Sequence, residues 1–319
     1  MTNTVLLATN VQPAFRAALA DRYEVLGPLS PPFEPAASAL SAADASRVRA
    51  IVTMGSLVIP EPSLDRFPAL GLLACVGSGY EGMPVAAARR RGIEVTHSPG
   101  ANAASVADLA MGLMISSVRN LDGARAFLQA GHFQGTAGRR FSPVRGLTGR
   151  RLGIYGLGAI GHKIALRAAP FEVEIAYHNR RQRTDVDYPW HSSLLSLAHW
   201  ADVLMVSARA DASNHHAINT EVLTALGAGG VVVNISRGSM IDEAALVAAL
   251  RSGVIGGAGL DVFEHEPRVT PALFELPGVA LSPHIGGNTH EAQDAMRTMV
   301  LDNLAAFFAG RSPPTPIPG

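Results

Sequence analysis

Apolar positions along the chain fall into short runs separated by segments with helical spacing. TVLLAT reads as a strand, PAFRAALADR as a helix with apolar residues three and four apart, and YEVLG as a second strand. RAIVTMG, LGLLACVG and GIEVTHSP are further short, partly β-branched runs. Strands that alternate with helices imply a parallel sheet covered on both faces. GPLSPPFEPAAS is Pro-rich and predicts a surface loop. The following ANAASVADLAMGLMISSVRNLDGARAFLQAGHF lacks Pro and predicts a long helix over 105–119, then a second helix. A long buried helix at this place suits a crossing between domains or a dimer interface. QGTAGRRFSPVRGLTGR is expected to be a loop.

A second α/β unit starts at RLGIYGLGAIG. The strand RLGIYG runs into glycines, then the helix AIGHKIALRAAPF, then the strand VEIAYHN. ADVLMVSAR, GGVVVNIS, IGGAGLDVF and GVALSPHIG predict later strands, and DEAALVAALRSG a helix stopped by Gly253. A last helix, to about residue 309, leads into a Pro-rich tail.

Composition narrows the classes. The 319 residues are enough for two domains. Lys plus Arg and Asp plus Glu are both 26, which disfavours nucleic acid as the main partner. No apolar run reaches the roughly 18–20 residues of a membrane span. MTNTVLLATNVQPAF lacks the basic start and cleavage pattern of a secretory leader. Cys75 is the sole cysteine, so a reducing cytoplasm and a buried structural thiol are expected. Lys163 is the sole lysine and sits in no matching motif, which leaves little room for lysine chemistry.

Candidate chemistry begins at Gly156-Leu157-Gly158-Ala159-Ile160-Gly161, a G-x-G-x-x-G loop between a strand and a helix. One glycine permits the tight turn, one lets a pyrophosphate approach the backbone, and one lets helix pack on strand. The helix N-terminus offers unpaired N–H groups to phosphate. Where NAD-specific loops place an acidic residue on the ribose, this chain has Asn179 followed by Arg180, Arg181 and Arg183. An uncharged residue followed by forked cationic donors favours a 2′-phosphate, and so NADP(H) over NAD(H). A solvated basic turn is the plainer alternative. Ser207 and Arg209, at a later strand end, are candidates for the adenosine side. His215 and His216 in NHHAIN, and the His and Glu residues of FEHEPR, lack the helical i, i+4 pairing of a zinc site, so no metal is expected.

VGSGYEGM, HSPGANAASVADLA, GLGAIG, NISRGSMIDEAAL, GAGLDVFEHEP and LSPHIGGNT together resemble the D-isomer-specific 2-hydroxyacid dehydrogenase family, in the family's order and over most of the chain. The arginine-bearing strand end and SPHIGG are most similar to its NADPH-preferring glyoxylate/hydroxypyruvate reductases. The resemblance implies two Rossmann-like α/β domains with parallel sheets. A cofactor domain, 100–285, is inserted into a flavodoxin-like substrate domain of 1–99 plus 286–319. It also implies a homodimer with the 105–133 region at the interface, and closure of the domains over substrate. Arg237 would bridge the carboxylate and keto oxygen of a 2-keto acid, His284 would protonate that oxygen, and Glu266 would orient and charge the imidazole. Backbone N–H groups of Ser78 and Gly79 would bind the carboxylate, with Met54 and Gly55 lining the pocket. Asp261 would face the nicotinamide carboxamide, with Ile235, Ser236 and Gly286 along the same wall. Ser207 to Asp211 depart from the family's His-x-Pro-x-Thr run, and Glu172 stands where glycine is usual. Reductases of larger keto acids such as phenylpyruvate or hydroxyphenylpyruvate, and a dinucleotide-sensing corepressor-like protein, are the competing functions.

Overall fold

Strand-forming residues assemble two separate parallel sheets in the computed structural model, which describes residues 3–135 and 140–318. The 136–139 part of the expected loop after Gln134 lies outside the described residues. One compact unit comprises Met1–Asn102 with His290–Gly319, the other Ala103–Thr289. These joins fall a few residues beyond the ones expected at 99 and 286.

In the first unit β1 (Thr4–Leu7), β2 (Glu24–Leu26), β3 (Val48–Met54), β4 (Leu72–Val76) and β5 (Glu94–Thr96) pair in parallel in the order β2-β1-β3-β4-β5. This is the flavodoxin-like order. Alternate side chains fill opposite layers, as the two-residue period of a strand requires. Leu6, Leu73 and Cys75 enter one core, while Val5, Leu7, Leu72 and Ala74 meet Met296, Val300 and Leu304 of the C-terminal helix His290–Phe308 in the other. Cys75 is buried, as expected. The Pro-rich segment is not all loop. Phe33–Ser38 forms a short helix that buries Phe33 and Ala37, because two apolar residues four apart find a core to enter.

In the second unit β6 (Arg151–Tyr155), β7 (Glu174–His178), β8 (Val203–Val206), β9 (Val231–Asn234), β10 (Gly257–Leu260) and β11 (Val279–Leu281) take the order β11-β10-β9-β8-β6-β7. Outside β7 an isolated parallel bridge, Tyr177 to Trp190, continues the sheet. The helix Ala103–Arg119 packs its buried face, including Val106, Ala110 and Met114, on this sheet. A Cβ on Gly259 of β10 would lie 3.0 Å from the Leu113 Cβ, so glycine permits that close helix–sheet approach. Gly253 ends the helix Glu243–Ser252 in the left-handed conformation. Glu172 takes the left-handed conformation glycine would adopt, at φ 60°.

Candidate functional site

Strand order in the second sheet reverses beside β6, and the glycine loop leaves the carboxyl end of that strand. Open α/β sheets bind ligands at this point. Gly156 has φ 100°, and a Cβ on it would lie 2.2 Å from the Ala208 nitrogen. A Cβ on Gly161 would lie 2.3 Å from the Gly156 oxygen. Backbone packing therefore requires both glycines. Gly158, by contrast, faces open space at the N-cap of the helix Ala159–Ala168, where a side chain would fill the approach to the first unpaired N–H groups. This is the cradle a pyrophosphate needs, and the residues fit a dinucleotide. Ile160 lies in the first turn of the same helix. Leu157 plays another part: its side chain is core, its N–H donates to Asn179 Oδ1 (2.7 Å), and its carbonyl accepts from Arg183 Nη1 (2.9 Å). Ser207 Oγ donates to the Gly156 carbonyl at 2.9 Å, so it anchors the loop.

The arginines after β7 separate into two groups. Arg183 is committed to Leu157 and to both oxygens of Asp185, whose carboxyl it draws down to about 2. Through Leu157 it holds the loop. Arg180 is 81% exposed and pairs with Asp211 at 3.1 Å. An exposed pair of this kind is worth only about 0–1 kcal/mol, so a phosphate dianion can replace Asp211 at little cost. Arg181 is exposed on the same turn. Asp211 also caps the short turn Ala212–Asn214, and Asn214 Nδ2 donates to the Arg209 carbonyl. The departure from the family run thus builds its own hydrogen-bonded turn.

The residues expected to be catalytic do come together. Glu266 divides its carboxylate: Oε1 accepts the Phe263 N–H at 3.0 Å, and Oε2 bonds His284 Nδ1 at 2.8 Å. That leaves Nε2 as the nitrogen available for proton exchange. The bond to Glu266 raises the His284 pKa above its ordinary value, against partial burial and the positive charge of Arg237, which lower it. Partial burial works to raise the Glu266 carboxyl, but the His284 and Phe263 hydrogen bonds prevail and hold it below the usual range. Arg237 follows β9, and its Nη1 donates to the Ser236 carbonyl at 2.7 Å.

Two residues that position these groups have functions the sequence reading did not give them. Asn234, buried at the end of β9, donates from Nδ2 to the Arg237 carbonyl (2.9 Å) and accepts the Ser236 N–H (3.0 Å). A polar residue closing the apolar run VVVN was the available signal, since a buried amide must find partners. Asp261 is 2% exposed, and its carboxylate accepts from Ser282 Oγ and from the N–H groups of Ile285 and Gly286, at 2.7, 2.8 and 2.8 Å. It braces the turn that carries His284, which sits at φ 52°. Ser236 Oγ bonds the Ala208 carbonyl, and Ile235 is buried beside it.

In the first unit, the one Ser78 Oγ proton is shared between the Ser98 carbonyl (3.0 Å) and Asn102 Oδ1 (2.9 Å), which fixes the 77–79 turn. Gly77 has φ 128°, and a Cβ on Gly55 would overlap the Gly79 carbonyl. Met54 ends β3 with its side chain partly exposed.

Comparison with known proteins agrees with this geometry. Residues 111–286 match the family described as D-isomer specific 2-hydroxyacid dehydrogenase, NAD binding domain. A glyoxylate/hydroxypyruvate reductase of Arabidopsis thaliana is 40% identical over 273 residues, covering 86% of this chain and 84% of the relative. A hydroxyphenylpyruvate reductase of Plectranthus scutellarioides is 35% identical over 284 residues, covering 89% and 90%. The crystal structure of an NADPH-dependent glyoxylate/hydroxypyruvate reductase from Sinorhizobium meliloti, in complex with NADP and malonate, superposes with a TM-score of 0.91 at 38% identity, covering 99% of this chain and 97% of the other. With its glycine loop, its arginine after β9 and its His–Glu pair in place, the chain belongs to the D-isomer specific 2-hydroxyacid dehydrogenase family of oxidoreductases.

Proposed function

We propose that the protein reduces small 2-keto acids, glyoxylate and hydroxypyruvate, to glycolate and D-glycerate, with NADPH preferred over NADH. The observation that carries this reading is the His284–Glu266 pair at 2.8 Å beside Arg237. When bound, the reduced nicotinamide supplies the hydride. Arg237 carries a permanent charge whose forked donors bridge the carboxylate and the keto oxygen, and so polarise the carbonyl. His284, whose protonated form is favoured by the bond to Glu266, gives its Nε2 proton to the carbonyl oxygen. In the first unit, the Ser78 and Gly79 N–H groups are the proposed donors to the substrate carboxylate. Arg180 and Arg181 are the proposed 2′-phosphate contacts, supported by the weak, replaceable pairing of Arg180 with Asp211.

A second reading is reduction of larger keto acids, favoured by the 35% identity to the hydroxyphenylpyruvate reductase. A homodimer is part of the proposal. The helix Leu121–Gln129 buries none of its residues and leaves Leu121, Leu128 and nearby Phe133 exposed at 48, 59 and 74%. An apolar surface of this kind suits a second copy. The test is NADPH oxidation with each keto acid by wild type and Arg237→Ala. Wild type should turn over glyoxylate and hydroxypyruvate, and the variant should bind NADPH normally yet lose turnover. Loss of NADPH binding in the variant would contradict the role given to Arg237.

A further inference from the structure

Two short segments that carry no metal signal separately are brought together by the fold. NHHAIN precedes the helix Thr220–Leu226, and FEHEPR follows β10. His215, His216 and Glu264 each present a ligand atom, and these atoms lie within 4.8 Å of one another. We propose that the three residues bind one divalent transition cation of the zinc class, at a site separate from the His284–Glu266 pair.

The cluster is built rather than incidental. His216 sits at φ 51°, a conformation that costs energy for a residue with a Cβ and persists only where its surroundings impose it. Its N–H donates to the Ser239 carbonyl at 2.8 Å. The His215 and His216 rings stack with centroids 3.9 Å apart. Glu264 is held from behind. Its N–H donates to Glu243 Oε1 at 2.6 Å, and its own Oε2 faces the Glu243 N–H at 3.4 Å. Glu243 is itself buried, with its other oxygen taken by the Thr270 hydroxyl at 2.6 Å. Such outer partners orient metal-binding carboxylates in known sites. The remaining oxygen, Glu264 Oε1, meets His216 Nε2 at 2.6 Å.

Two imidazoles and one carboxylate form a borderline nitrogen–oxygen donor set, which suits zinc, cobalt or nickel better than calcium or magnesium. Three protein ligands leave a fourth position for water. One shared proton joins His216 Nε2 to Glu264 Oε1. A cation entering the site takes both atoms as ligands, and that proton passes to solvent. Exposed His215 completes the set, its ligand atom within 4.8 Å of the other two.

The test uses the full chain, stripped with chelator and titrated with Zn²⁺ and with Co²⁺. One saturable equivalent per chain is expected, with the visible Co²⁺ absorption of a four- or five-coordinate site. Glu264→Gln and His215→Ala should each weaken binding by at least about tenfold. His284→Ala should retain it. His215 is exposed, so its replacement tests the site even if the Glu264 variant folds poorly. Absence of a saturable equivalent would overturn the proposal. So would unchanged binding in both ligand variants, or loss of binding in His284→Ala, which would place the ion on the catalytic pair.

Discussion

The two units wind their sheets alike and differ where the winding reverses. β2-β1-β3-β4-β5 and β7-β6-β8-β9-β10-β11 share one order, with a strand added to the second. After β1 the chain enters its helix through Gln12 and Pro13. Proline at the first helical position removes one N–H, and the Gln12 side chain is engaged by Arg297. After β6 the chain enters through Gly158, with open space before the first N–H groups. A doubly wound topology supplies the place for a dinucleotide, and a few residues at the turn decide whether that place is used.

Substitutions on either side of this contrast sharpen it. The largest effect is expected at the acid: His284→Ala should lower kcat by about 10²–10⁴-fold in single-turnover measurements, while NADPH binding persists. Next, Gly158→Val should raise the Kd for NADPH about tenfold, as a steric cost of about 1–3 kcal/mol implies. Exposed Asn10→Ala, at the matching turn of the first unit, should leave it unchanged. Arg180→Ala should reduce NADPH-over-NADH discrimination several-fold, by loss of a solvent-screened charged contact. Arg183→Ala should instead lower the melting temperature through the freed Leu157 loop. The smallest effect is a displacement in pH. Keto-acid reduction needs protonated His284, so the rate is full at low pH and falls as pH rises through its raised pKa. Glu266→Gln removes the first cause of that rise, and the alkaline limb of the kcat/KM profile should move to lower pH.

Strands and long helices were legible because periodicity and burial act locally. Val231–Asn234 and Ala103–Arg119 lie where the sequence pattern predicts them. Short helices such as Phe33–Ser38 and Leu194–Trp200 were not, since six or seven residues carry too little periodicity and depend on a core formed elsewhere. Arg237, Glu266 and His284 were readable from their motifs. The division of labour among polar groups was not. That Arg183 pairs with Asp185, and that Asp261 accepts hydrogen bonds from the His284 turn, depends on partners brought close only by folding. The same holds for His216 and Glu264, which are 48 positions apart in sequence.

The most direct measurement is initial rates with NADPH and with NADH, each against glyoxylate, hydroxypyruvate and hydroxyphenylpyruvate, for wild type and Arg180→Ala. The account predicts highest kcat/KM with NADPH and the two small keto acids, and a reduced cofactor preference in the variant. Equal or better use of NADH by wild type, unchanged by the substitution, would contradict the cofactor assignment. Highest kcat/KM with hydroxyphenylpyruvate would contradict the substrate assignment.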